Sequence, residues 1–246
     1  MDASGRGGEF YEADGVRDAY LLHRHDGVQS PNTVMEEPAF IDTLGSVAGC
    51  RVLDLGCGDG STVGLILARG AASYVGLDGS AGMIDSARRG SVDDRVRFVH
   101  GDIEEFDLAP GEFDVVISRM ALHYVAQLEP VFQRVHRGLS EDGRLVFSVV
   151  HPVITSHDNP GDGPRTSWMV DGYFERGPRE RAWFGSSVVW QHRTIEDYVR
   201  LVTDHGFRLD SLSECEPSAE LLAGDADELA RRRRVPLMLL IGATRQ

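Results

Sequence analysis

The sequence predicts a doubly wound α/β fold, in which helices cover both faces of a parallel sheet. Three observations carry that reading. Between residues 51 and 150, short β-branched apolar runs alternate with segments of helical period, the pattern of parallel strands joined by helical crossovers. The first run, VLDLGCGDG at 52–60, meets an acid and then alternating glycines, Gly56, Gly58 and Gly60. The second and third runs also end in acids, Asp78 and Asp102.

Strands are expected at 51–56, 73–78, 95–100, 113–118 and 144–150. The helices 61–69 and 80–89 each begin with Ser, a good N-cap, and run out at Gly70 and Gly90. Residues 130–138 begin with Pro130 and end at Gly138, the usual asymmetry of helix ends. After Val150 the character changes. Residues 151–193 hold Trp168, Trp183, Trp190, Tyr173, Phe174, Phe184 and a Pro/Gly-rich NPGDGP at 159–164. A loop of that length tends to be a functional cover, so an aromatic-rich insertion after the fifth strand is expected. Residues 194–205 read as a capped amphipathic helix ending at Gly206, and 207–213 and 237–244 as two final strands. The four arginines at 231–234 read as a solvated face or a salt-bridged helix end. No repeat or long linker divides the chain. One domain over 1–246 is expected, with an N-terminal lid (1–45), a core (46–150), a cap insertion (151–193) and a C-terminal part of the sheet (194–246).

The composition narrows the function. All 25 basic residues are Arg, against 39 acidic residues, for a net charge of −14. That charge argues against a nucleic-acid groove. The absence of Lys excludes Schiff-base chemistry and a lysine base. Cys50, Cys57 and Cys215 are scattered, with no C-x-x-C pair, so neither a disulfide framework nor a metal site is expected. No apolar run approaches membrane length, and the start lacks a basic flank followed by an apolar stretch. A cytoplasmic protein without membrane association is expected, with a homodimer left open.

Glycines at 56, 58 and 60 allow a tight turn and close ligand approach where a doubly wound sheet receives a nucleoside-bearing cofactor. The dinucleotide fingerprint is not matched, because Ser61 stands where its third glycine would be. Asp78, at the end of the second strand, is placed to accept both hydroxyls of a ribose. Asp102 and Ile103 could hydrogen-bond and pack against a purine. The alternative is that these acids only form turns. Cys57 has no evident base partner and reads as a small residue that fits.

These residues, with FDVVISRMALHYV at 113–125 and EDGRLVFSVVHPV at 141–153, resemble the successive motifs of class I S-adenosylmethionine-dependent methyltransferases, nearer the bacterial small-molecule, type 11-like group. The resemblance implies a Rossmann-like seven-stranded sheet with its last strand antiparallel, and S-adenosylmethionine as cofactor. Gly56, Cys57, Gly58 and Gly60 would pass its methionine part and Asp54 would orient it. Asp78 would take the ribose hydroxyls, Gly79 and Met83 would lie by the ribose and adenine, and Asp102 with Ile103 would hold the adenine. Ser118 and Arg119 would sit beside the methionine group. No N/D-P-P-Y/F/W motif follows the fourth strand, and no paired acids with Asn suggest a magnesium site. That pattern implies metal-independent transfer and argues against DNA bases or protein glutamine as acceptors.

His123 after the fourth strand and His151 after the fifth should face the carboxyl-edge crevice, where either could be a general base or could merely shape the pocket. Trp168, Tyr173, Trp183 and Trp190, with His192 and Arg193, would wall a planar or hydrophobic acceptor, or form the core of a small subdomain. The N-terminal segment, with Tyr11, Tyr20, His23, Arg24 and 30–32, could fold over the cofactor as a lid; terminal disorder is the alternative. The expected activity is methyl transfer to O or N, less readily C, of a small-molecule acceptor. The alternatives are a non-catalytic or cyclising S-adenosylmethionine-binding protein and a nicotinamide-dependent oxidoreductase.

Overall fold

The computed structural model describes residues 7–12, 15–25, 30–156, 168–222 and 224–246. The stretch 159–164 and the side chains of His23 and Arg24 lie outside the described residues. Before the sheet come α1 (Gly7–Glu12), α2 (Val16–His25), a π-helical turn (Asn32–Glu36) and α3 (Glu37–Leu44). The sheet then builds through β1 (Arg51–Leu55), α4 (Val63–Ala68), β2 (Ser73–Asp78), α5 (Ala81–Gly90), β3 (Val96–His100), β4 (Phe113–Arg119), α6 (Leu128–Gly138) and β5 (Leu139–Val150). The insertion holds α7 (Pro152–Thr155) and strands β6 (Gly177–Trp183) and β7 (Ser186–His192). After it come α8 (Ile195–Thr203), β8 (Phe207–Ser213), α9 (Ala226–Arg232) and β9 (Met238–Arg245).

The main sheet has seven strands in the order β3-β2-β1-β4-β5-β9-β8. The first five are parallel, and β9 runs antiparallel to both β5 and β8. This is the Rossmann-like α/β sheet with an antiparallel last strand. Its order reverses between β1 and β4, which opens a crevice beyond their carboxyl ends. Alternation along each strand splits the core into two layers. Leu53 and Val116 face one layer with Phe132, Phe147 and Tyr198. Val52 and Val115 face the other with Phe40, Ile66 and Tyr74.

Local chemistry explains the helix starts. The Ser80 hydroxyl accepts from the Met83 N–H at 3.1 Å, capping α5. Thr194 and Asp197 form a reciprocal capping box on α8. In place of the expected start at Ser61, α4 begins at Val63, because a tight turn uses the preceding residues: Val63 N–H donates to Gly60 O, and Ser61 N–H to Asp59 Oδ1. The fifth strand starts at Leu139, not at 144, since Leu139 pairs with Phe113 before the register shifts. Arg231 and Arg232 both pair with Glu228 near the end of α9.

Two segments are more ordered than the sequence suggests. The insertion carries a β-hairpin whose turn residues, Phe184 and Gly185, have φ of 47° and 75°, as a twisted two-residue turn requires. The N-terminal segment forms α1 and α2. These pieces share a small third core in which Phe10 and Val16 pack with Val150, Val188 and Trp190.

Candidate active site

A cavity of about 740 Å³ opens where the sheet order reverses, a size that suits small-molecule ligands. One part of its lining comes from the strand ends: Gly56, Gly58, Asp78, Gly79, Met83, Asp102, Ile103 and Arg119. Another comes from Tyr11, Tyr20 and Tyr124, with Gln127 and Gln191. Ten of the residues expected from sequence therefore share one chamber.

The glycines of the first turn do different work. Gly56 (φ 80°) lies so close to Ala121 that a Cβ would sit 2.2 Å from that residue's Cβ. Gly60 (φ 76°) packs against Phe98 and Ala87 and stays off the cavity. At Gly58 (φ 57°) a Cβ would meet nothing within 4 Å, so here bare backbone borders open space. The Gly58 N–H donates to Asp78 Oδ2 and the Ser80 N–H to Oδ1, both at 2.8 Å. Burial raises the Asp78 pKa, against the pull of these two bonds. Each carboxylate oxygen has a further lone pair for a ligand hydroxyl.

Other expected residues lie behind this wall. Asp54 accepts from the Tyr74 hydroxyl at 2.5 Å in the buried layer beneath the turn. Cys57 is buried against the backbone of Gly76, and burial pushes its thiol pKa up. The Ser118 hydroxyl donates to the Leu55 carbonyl at 2.7 Å, tying β4 to β1. Arg119 reaches the cavity, but its guanidinium is gripped by Glu36, at 2.5 Å from Nη2 and 3.1 Å from Nε, and by Glu37 at 3.2 Å. It also lies over the Phe40 ring at 4.6 Å. Among the described residues, no three His, Cys, Asp or Glu side chains cluster to hold a metal ion, and no helix is long and apolar enough to cross a membrane.

Residues 53–147 match the model of a family described as a methyltransferase domain. An uncharacterized protein of Haemophilus influenzae is 30% identical over 216 residues, covering 83% of this chain and 85% of that protein. The solved structure of an S-adenosylmethionine dependent methyltransferase from Mesorhizobium loti is 32% identical. It superimposes with a TM-score of 0.81 over 89% of this chain and 100% of that one.

The chain belongs to the class I S-adenosylmethionine-dependent methyltransferases.

Relatives with named acceptors are matched less fully: a demethylmenaquinone methyltransferase of Clavibacter sepedonicus is 37% identical over 102 residues, 41% of each chain. S-Adenosylmethionine is the cofactor of this methyltransferase, and the cavity suits it. Backbone at Gly58 leaves room that any side chain would fill. The acidic liners Glu9, Asp78, Asp102 and Glu104 complement a sulfonium cation.

Both histidines expected as bases lie off the cavity lining. His123 is buried between Tyr124 and Trp190, with ring centroids 4.2 and 5.8 Å away. Burial lowers its pKa to about 3, with Arg193 adding to the effect. His151 spends both ring nitrogens on the protein: Nδ1 accepts from the Val153 N–H, and Nε2 lies 3.1 Å from Glu214 Oε1, to which it then donates. In the insertion, Trp168 donates to the Val153 carbonyl and Tyr173 accepts from the Ile195 N–H. Trp183 packs on Trp190 and Phe184, and His192 bridges Thr155 Oγ1 and the Tyr173 carbonyl. None of these four lines the cavity; the hairpin contributes Gln191. Their packing follows the subdomain-core alternative.

Tyr124 was not singled out from sequence, although it lies in the 113–125 motif. Its hydroxyl meets that of Tyr11 at 3.2 Å, and Tyr11 packs edge-on against Tyr20 at 4.9 Å. Gly8, Glu9, His100, Glu104 and Gln127 also line the cavity without a signal in the sequence.

Proposed function

We propose that this methyltransferase moves a methyl group from S-adenosylmethionine to a nitrogen or oxygen of a small, uncharged or cationic acceptor, by in-line displacement without a resident metal. The observation that carries the proposal is the single cavity shared by the strand-end loops and the tyrosines Tyr11, Tyr20 and Tyr124.

The bound cofactor supplies an electrophilic methyl group on a sulfonium sulfur. The protein has to align the acceptor and exclude water. In this reading Asp78 accepts the ribose hydroxyls, Gly58 leaves room beside it, and Met83, Asp102 and Ile103 border the adenine. The tyrosines and Gln127 and Gln191 orient the acceptor. Among the described residues, Glu9, Asp78, Asp102 and Glu104 line the cavity, and the arginine that does so, Arg119, is ion-paired to Glu36 and Glu37. That charge pattern disfavours an anionic acceptor, and the net charge of −14 disfavours nucleic acid. An amine acceptor reacts through the lone pair of its free base and releases a proton to water after transfer, and a hydroxyl acceptor gives up its proton to water as the new O–C bond forms. A dedicated imidazole base is not part of this reading, since His123 and His151 are buried off the cavity wall.

The test is a mass-spectrometric screen for S-adenosylhomocysteine formation over matched neutral, cationic and anionic amines, phenols and alcohols. Turnover confined to neutral or cationic acceptors supports the reading. Turnover confined to carboxylates or phosphates, or cofactor binding with no turnover across the whole screen, overturns it.

A further inference from the structure

We infer that Glu12 is a positioning residue that latches the N-terminal segment onto the cofactor loop, so that the docked segment carries Tyr11 and Tyr20 into the acceptor wall. The inference rests on the cofactor placement proposed above.

Glu12 Oε1 accepts from the Ser80 hydroxyl at 2.5 Å and from the Gly82 N–H at 3.0 Å. Gly82 lies in the first turn of α5, where N–H groups lack helical partners and a carboxylate is favoured. Ser80 in turn gives its own N–H to Asp78 Oδ1 at 2.8 Å. One residue therefore links Glu12 to the proposed ribose acceptor.

A second observation is independent of charge. The backbone of Gly8 lies flush on that of Gly79: a Cβ on Gly8 would come within 2.6 Å of the Gly79 carbonyl carbon and oxygen. No residue with a side chain fits there without moving the segment. Gly8, Glu9, Tyr11 and Tyr20 all line the cavity, so the same docking that covers the cofactor loop also builds the acceptor side. If the segment lifts, Tyr11 leaves Tyr124 and that wall is lost.

The anchorage is light. Among the described residues of the segment, Phe10 and Val16 are the buried apolar anchors, with Tyr11 packed partly buried beside them, and all belong to the small third core, not to the two main layers. A pair of hydrogen bonds to one carboxylate, the Ser80 bond part-buried and the Gly82 bond exposed, then has a visible share in holding the segment down. The main layers do not need to open for the segment to move.

The test uses the full chain and S-adenosylhomocysteine as the probe. Dissociation is timed by chase with excess ligand, and hydrogen exchange is followed over 7–25 and 120–127. Glu12→Ala should release the probe faster, on the order of tenfold. Glu12→Gln should recover part of the difference, because its amide oxygen still accepts from Ser80 and Gly82. Gly8→Ala should mimic Glu12→Ala by steric displacement alone. In the wild-type protein the probe should slow exchange in both segments, and in Glu12→Ala in neither. Wild-type release rates and protection in both Glu12→Ala and Gly8→Ala would overturn the latch while leaving the cofactor site intact. A wild-type protein that does not bind the probe would overturn the placement and the latch together. Asp78→Ala separates the two, since it should lose equilibrium affinity instead of merely speeding release.

Discussion

Tyr11 and Tyr124 stand hydroxyl to hydroxyl at 3.2 Å although they are 113 positions apart in the chain. Burial raises the pKa of both phenols, Tyr124 to about 12, so near neutrality each is an uncharged donor and acceptor. Such a pair can orient an acceptor by hydrogen bonding without serving as a ready base.

Removing either hydroxyl should therefore affect the acceptor and spare the cofactor. Tyr11→Phe and Tyr124→Phe are expected to raise the acceptor KM by about 5- to 10-fold, the cost of one neutral hydrogen bond. The S-adenosylhomocysteine Kd from calorimetry should stay within about twofold. A loss confined to cofactor binding would reassign the pair.

The glycines of the first turn should separate stability from binding. Gly58→Ala leaves its methyl in open space and costs only the left-handed backbone, about 1 kcal/mol, yet should weaken cofactor binding sharply by filling the cavity. Gly60→Ala should instead lower stability by more than about 2 kcal/mol, as its Cβ would sit 2.8 Å from the Phe98 ring. Urea unfolding with parallel cofactor titrations checks both.

Asp78→Ala should abolish most of the thermal stabilisation by S-adenosylmethionine. A ligand at about 100 times its Kd adds roughly 2.7 kcal/mol to a protein that binds it. Differential scanning fluorimetry with and without cofactor reads the difference. An undiminished shift would move the ribose site elsewhere.

Glu36 and Arg119 form an almost fully buried ion pair, with side-chain exposures of 1% and 8%. Ser148 adds a hydrogen bond to Glu36 at 2.8 Å. Glu36→Ala removes the buried carboxylate that grips the guanidinium while Glu37 stays beside it, so a loss of about 3 kcal/mol is expected. Chemical denaturation measures it.

His123 should shape the acid limb of stability. Its pKa falls from 6.5 in the unfolded chain to about 3 in the fold, so between those values the unfolded state binds the extra proton. Its contribution is fully present above about pH 6.5 and is lost as the pH falls toward 3. His123→Phe, which keeps a ring against Tyr124 and Trp190, should flatten that limb in urea titrations run from pH 7 to pH 4. It should also leave cofactor affinity unchanged.

Much of this was legible in the chain because it depends on near neighbours. The strands at 73–78 and 207–213 and the caps Ser80 and Thr194 were placed from alternation and side-chain chemistry. So was the turn at Gly56 and Gly58, whose left-handed backbone calls for glycine. The β6–β7 hairpin gives a weak sequence signal because Arg179 and the buried Arg181 stand on the inward face of β6, where alternation calls for apolar residues, and its turn is Phe-Gly, not Asn-Gly.

By itself, then, the sequence determined the α/β order, the glycine turn, the row of strand-end acids and the family they resemble. Tertiary structure alone decided which side chains reach the cavity. His123 and His151 follow the appropriate strands yet turn into packed surroundings, while Tyr11, Tyr124 and Gln191 converge from three distant segments. Strand periodicity sets which face a residue occupies, but burial and access at a loop depend on elements folded over it from elsewhere in the chain.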